Sequence, residues 1–158
     1  MRILIVAVGR IGSGPENTLC EDYLKRARPL LRGFGVAGLE QVELRESTRP
    51  DAAARMEEEA ARVLAKIPAG ARLVVLDEGG ETIGSRAFAD MLKPGAGTAD
   101  IAFVIGGPDG LAGELRKAAA RSIAFGAMTM PHRLVRAILA EQIYRAATIL
   151  AGHPYHRE

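Results

Sequence analysis

The chain ends in His153-Pro154-Tyr155-His156-Arg157-Glu158, which holds two of its three histidines together with a tyrosine and an arginine. Chain ends ordinarily fray and carry small or charged residues that pack against nothing. This end instead gathers proton carriers, a phenol and a fixed cation just after a long apolar helix. Those groups can bind, orient and exchange protons with a polar ring. The tail is therefore a candidate part of a site, and the competing reading is an ordered end docked on its own surface. A second candidate is Gly106-Gly107-Pro108-Asp109-Gly110, which follows a strand and precedes a helix. In open α/β sheets, ligands sit at such carboxyl ends of strands, and paired glycines let a ligand approach the backbone. A plain turn would use the same residues.

Other chemistries find less support. Gly9-Arg10-Ile11-Gly12-Ser13-Gly14 follows the first strand, but its glycines are in the wrong order for a dinucleotide fingerprint. Glu43 and Glu46 also stand too far along for the ribose-binding acid. No Gly-Lys-Ser/Thr follows the glycine loop, so it is not a Walker loop. His132, His153 and His156 are scattered, Pro154 separates the last two, and no metal site is expected. Glu141 and Arg145 stand four apart in the favourable helical order, as a surface ion pair would.

The elements that must position these groups alternate. Ile3–Val8, Arg72–Asp77 and Ile101–Ile105 are apolar runs suited to strands buried on both faces. Leu39–Arg45 is a weaker strand, and Ser122–Met130 contains a fifth. Helices are expected over Glu16–Leu31, from the start signal Thr48-Arg49-Pro50-Asp51 to Pro68, over Ser85–Leu92 and Leu111–Arg121, and from Pro131 to about Ala151. This predicts one α/β domain over residues 1–158, with a mostly parallel sheet flanked by helices. The last helix carries Val135, Leu139, Ile143, Ala146 and Leu150 on one stripe, and Leu134 and Ile138 add a second apolar side. That girth suggests a second copy of the chain as partner, a homodimer.

Composition sets the remaining bounds. Of the 158 residues, 48% are hydrophobic and 25% charged, which is ordinary globular usage, and the net charge of +2 gives no strong global field. Arginine outnumbers lysine, a bias that suits anionic partners and equally a GC-rich genome. Cys20 is the sole cysteine, which excludes an intramolecular disulfide. The N-terminal run is too short for a signal peptide, and no run approaches a membrane span, so a cytoplasmic protein without a membrane partner is expected.

Three segments together resemble one family. They are Leu76-Asp77-Glu78-Gly79-Gly80-Glu81 followed by Ser85-Arg86-Ala87-Phe88-Ala89, then Phe103–Gly110, then Met130-Pro131-His132-Arg133-Leu134-Val135-Arg136 with Glu141–Ala146 and the tail. The chain is similar to the ribosomal RNA large-subunit methyltransferase H family, small members of the knotted SPOUT methyltransferases, over nearly its whole length. It departs in lacking the basic residues many relatives carry at Gly79-Gly80-Glu81, and Leu39–Pro50 matches nothing. The resemblance implies a C-terminal deep trefoil knot, a homodimer with a site drawn from both copies, and S-adenosylmethionine as cofactor. It implies a cofactor pocket of Leu76, Gly106, Gly107 and the loop Phe125, Gly126, Ala127, Met128, Thr129 and Met130. The implied reaction is methylation of N3 of a pseudouridine in 23S rRNA on the assembled ribosome, with no metal. His153, Tyr155, His156 and Arg157 are then the candidates that position the base and neutralise the imide. The alternatives are a non-catalytic ribosome-binding or assembly factor that keeps the cofactor fold, and an ordinary nucleotide-binding enzyme.

Overall fold

The computed structural model describes residues 1–95 and 98–157, so Glu158, the last residue of the tail, lies outside the described residues. Ten elements alternate strictly: β1 (Arg2–Val8), α1 (Pro15–Gly33), β2 (Gly38–Leu44), α2 (Ala52–Leu64), β3 (Arg72–Thr82), α3 (Ser85–Leu92), β4 (Ile101–Ile105), α4 (Gly113–Ala118), β5 (Arg121–Ala124) and α5 (His132–Leu150). The strands form one sheet in the order β2-β1-β4-β3-β5, with every pairing parallel. Parallel strands need crossover helices, which cover both faces.

Side-chain alternation divides the core into two layers. Ile3, Ile5, Phe103, Ile105 and Leu76 face α1, α3 and α5. Leu4, Val6, Val75 and Val104 face α2 and α4. The continuous apolar runs of β1 and β4 thus serve two faces at once, and each fully buried Ile or Phe contributes about 2 kcal/mol of apolar transfer free energy. The registers Val8↔Leu44, Ala7↔Ile105 and Leu76↔Ile105 bring the strand ends to a common rim.

Several boundaries differ from the sequence-based expectation, for local reasons. The expected helix Leu111–Arg121 shrinks to Gly113–Ala118. Leu111 and Ala112 are buried in the turn before it, and the Ala120 N–H already donates to the Leu73 carbonyl in the sheet. The strand expected to end at Asp77 runs to Thr82, because β5 pairs with it on both sides of a register shift between Leu76 and Glu81. The fifth strand, sought within Ser122–Met130, is Arg121–Ala124, and the residues after it form a loop. Asp51 caps α2 by accepting from the Ala54 N–H at 2.9 Å, while the helix ends at Leu64, before Pro68.

The apolar girth of α5 is largely satisfied within the chain. Leu139, Ile143 and Ala146 are buried against α1 and α3, which leaves Leu134 exposed and Ile138 half-buried on the second side.

Candidate functional site

A cleft of about 430 Å³ opens at the strand-end rim, between the ends of β3, β4 and β5 and the start of α5. That volume suits a nucleoside-sized ligand. Leu76, Gly106, Gly107, Phe125, Gly126, Met128, Thr129 and Met130 line it, so one cavity brings together eight of the nine residues expected to hold a cofactor. Ala127 is exposed in the same loop but is not part of the wall.

The glycine loop is a tight turn. Gly110 N–H donates to the Gly107 carbonyl at 3.0 Å, and Gly110 takes φ 87°, a left-handed conformation that favours glycine. A Cβ on Gly106 would lie 2.9 Å from the Gly110 carbonyl oxygen, and one on Gly107 would lie 3.0 Å from Val8 and 3.1 Å from Glu59. Those glycines are therefore demanded by the turn's own packing. Arg55 on α2 anchors the loop with two hydrogen bonds to Asp109, at 2.7 and 3.0 Å, while it also donates to the Arg49 and Pro50 carbonyls.

Sequence reasoning missed the acidic wall. The register shift in β3 leaves residues 77–80 without paired partners in β5, and Asp77 and Glu78 border the cleft. Burial works against the Asp77 charge. The Arg116 guanidinium and the Gly79 N–H outweigh it and hold the carboxyl below its ordinary value. Thr129 donates to Glu78 at 2.9 Å, which ties the loop after β5 to the loop of β3. Apolar walls with a few fixed acceptors suit a ligand that has an aromatic face, N–H groups and a positive centre. His132 and Val135, at the start of α5, complete the lining.

The tail lies elsewhere. Tyr155 packs on Tyr144 with ring centroids 4.7 Å apart, and its hydroxyl donates to Glu141 at 3.1 Å. Arg145 donates to the same carboxylate at 2.6 Å and lies 3.4 Å from His156 Nδ1. The Tyr155 N–H donates to His153 Nδ1 at 3.2 Å, and Arg157 is exposed. Arg145 is ten residues beyond Val135, a rise of roughly 15 Å along the helix. In a single chain the tail rests on the middle of α5, whereas the cleft lies at its start. The Glu141–Arg145 pair read as a surface ion pair is in fact the platform on which the tail rests.

A family model described as "Predicted SPOUT methyltransferase" matches residues 1–156. The chain belongs to the SPOUT methyltransferase family. Two curated relatives of this SPOUT methyltransferase are both called "Ribosomal RNA large subunit methyltransferase H". The protein from Hyphomonas neptunium is 51% identical over 159 residues, and that from Rhodopseudomonas palustris is 53% identical over 164. Both alignments span 99% of each sequence. A solved structure of the SpoU methyltransferase AviRb from Streptomyces viridochromogenes, in complex with AdoMet, aligns at 15% identity with a TM-score of 0.44. That alignment covers 96% of this chain and 61% of the AviRb chain.

Proposed function

We propose that this SPOUT methyltransferase transfers a methyl group from S-adenosylmethionine to N3 of a pseudouridine in large-subunit (23S) ribosomal RNA, in the assembled ribosome. The observation that carries the reading is the full-length likeness, at about half identity, to relatives named for large-subunit ribosomal RNA methylation. The cleft supports it, since its apolar walls suit the cofactor's adenine, and Glu78 at the rim suits its positive centre. When bound, S-adenosylmethionine supplies a methyl group already activated by a sulfonium.

The protein's task is then placement and charge. The loop 125–130 would hold the adenine edge through its backbone, and Leu76 and Gly107, which line the cleft, would flank the ligand. The imide N3 must lose its proton to become a nucleophile, and it must point along the methyl–sulfur axis. Orientation therefore supplies much of the rate. His153 and His156 carry imidazole nitrogens that can take the proton, and Arg157 is suited to stabilise the imide anion. Tyr155 keeps its proton, because burial foremost, and then Tyr23 and the charge of Glu141, push the phenol up.

Two copies complete the site in this reading. Leu19 on α1 and Leu134 on α5 are 46% and 41% exposed, and these two helices pack together. A second copy seated antiparallel on that pair would bring its tail to the cleft of the first, as an isologous dimer allows. A trefoil knot fits the route of the chain. From β5 at the sheet edge it must pass the β3–α3 connection to reach α5, which packs against both α1 and α3. A crystal structure that traces 125–131 on the inner side of that connection supports the knot, and a trace on the outer side removes it.

The deciding experiment incubates the protein and labelled S-adenosylmethionine with ribosomes from a strain lacking the gene, then maps the product by mass spectrometry. Label at N3 of one pseudouridine, with negligible label on an isolated hairpin, is the expected result. Cofactor binding without any transfer would leave a ribosome-binding factor instead.

A further inference from the structure

Beside the cleft lies a second, shallower recess, lined by Gly9, Arg10, Arg45, Glu46 and Arg133. Its three arginines come from three different element ends. Arg10 follows β1, Arg45 follows β2, and Arg133 stands in the first turn of α5. The β1–β2 register, which sets Val8 opposite Leu44, brings the first two to the same rim. Among the described residues, none of the three guanidiniums is engaged in a hydrogen bond or ion pair. By contrast Arg55, Arg116, Arg136 and Arg145 are each held by a carboxylate.

The recess also contains one carboxylate, that of Glu46. Glu46 Oε1 lies 2.9 Å from the point a Cβ on Gly9 would occupy, and His132 Nε2 lies 3.1 Å from that same point. His132 also lines the cleft. The two hollows therefore meet at Gly9 and His132, with the cations on one side and the methyl-donor pocket on the other.

We propose that Arg10, Arg45 and Arg133 form a phosphate clamp that grips the RNA backbone beside the target nucleotide while its base enters the cleft. This rests on the reading of the substrate as RNA and adds to it a named contact surface. Guanidiniums bind phosphate oxygens in bidentate fashion, and such contacts fix register without reading sequence. A chain with a net charge of only +2 exerts no strong global field, so a local clamp supplies the electrostatic contact that its overall charge does not.

The test measures steady-state methylation of ribosomes against potassium chloride concentration. Substitutions Arg10→Gln and Arg133→Gln should each raise KM for ribosomes about three- to tenfold near 0.1 M salt, and lower the log–log salt slope by about one. The rate at saturating ribosome and the affinity for S-adenosylmethionine should hold, and Arg133→Lys should restore most of the slope. An unchanged KM and slope in an active, folded variant overturns the clamp alone. Equal losses in cofactor affinity also overturn it, by assigning the recess to the cofactor pocket. Wild-type protein that transfers no methyl to ribosomes overturns the function and the clamp together.

Discussion

Arg136 on α5 donates a hydrogen bond to the Gly9 carbonyl at 2.8 Å, across 127 residues of chain. The same guanidinium pairs with Glu43 on β2, and that carboxylate accepts the Ile11 N–H at 3.0 Å. Arg136 is fully buried, and its Nε is the one buried side-chain polar atom among the described residues without a partner. This group fastens the turn after β1 to the start of α5, where the cleft and the arginine recess meet.

Substituting Arg136 by Met keeps most of the volume and removes the anchor. The Gly9 carbonyl loses its partner, and Glu43 must find water at the half-open edge. A loss of about 2–4 kcal/mol is expected, less than a wholly buried pair would give. Urea unfolding measures it, and a loss below about 1 kcal/mol would show that the anchor contributes little.

Gly79 and Gly80 are adjacent in sequence and opposite in tolerance. A Cβ on Gly79 would meet only Asp77 Oδ1 at 3.5 Å, an ordinary contact. A Cβ on Gly80 would lie 2.7 Å from the Ile123 carbonyl carbon and 2.8 Å from its nitrogen, and backbone cannot step aside. Gly79→Ala should stay within about 0.5 kcal/mol of wild type, and Gly80→Ala should cost about 2–3 kcal/mol. Equal effects on thermal unfolding would mean that the register shift in β3 is soft.

This pair also marks the limit of what the sequence discloses. β1 and β4 are legible as continuous apolar runs, since both faces are buried and no other element needs such a pattern at that length. Gly79-Gly80 signals a turn, but pairing with β5 carries the strand through it, and that partner is distant in sequence, Glu81 lying opposite Ile123. Ala118-Ala119-Ala120 reads as helix by propensity, while the sheet captures Ala120. The cleft residues 125–130 came from resemblance, because a backbone-lined pocket leaves little trace in side-chain types. The Arg136–Glu43–Gly9 anchor and the arginine recess left no local signal at all. Each is made by element ends that only the tertiary fold brings together.

Tyr155 offers a pH test of the tail. Burial foremost, then hydrogen bonding with Tyr23 and the nearby Glu141 charge, raises its phenol well above the ordinary value of about 10. A raised pKa means that folding favours the protonated form. Its contribution to stability is complete below the unfolded pKa and is lost as pH rises through the folded one. Phenolate absorbance should therefore show a late phase, and Tyr155→Phe should remove it. A titration curve that Tyr155→Phe leaves unchanged at high pH would place the tail away from Glu141 in solution.

The distance between tail and cleft makes the strongest demand. If each cleft is completed by the other copy's tail, two differently defective chains must rescue each other. Val135→Trp fills the cleft from the half-buried face of α5 and should abolish binding of S-adenosylmethionine. A chain cut before His153 should bind the cofactor and transfer nothing. Mixed in equal amounts, with subunits exchanging freely, half the dimers pair one of each and carry one sound cleft facing one sound tail. About a quarter of wild-type activity should then return. Activity that never returns, despite heterodimers verified by mass spectrometry, would mean that each tail serves its own cleft. The tail would then have to leave Glu141 and Arg145 and cross the roughly 9–15 Å of helix that separates them from Val135.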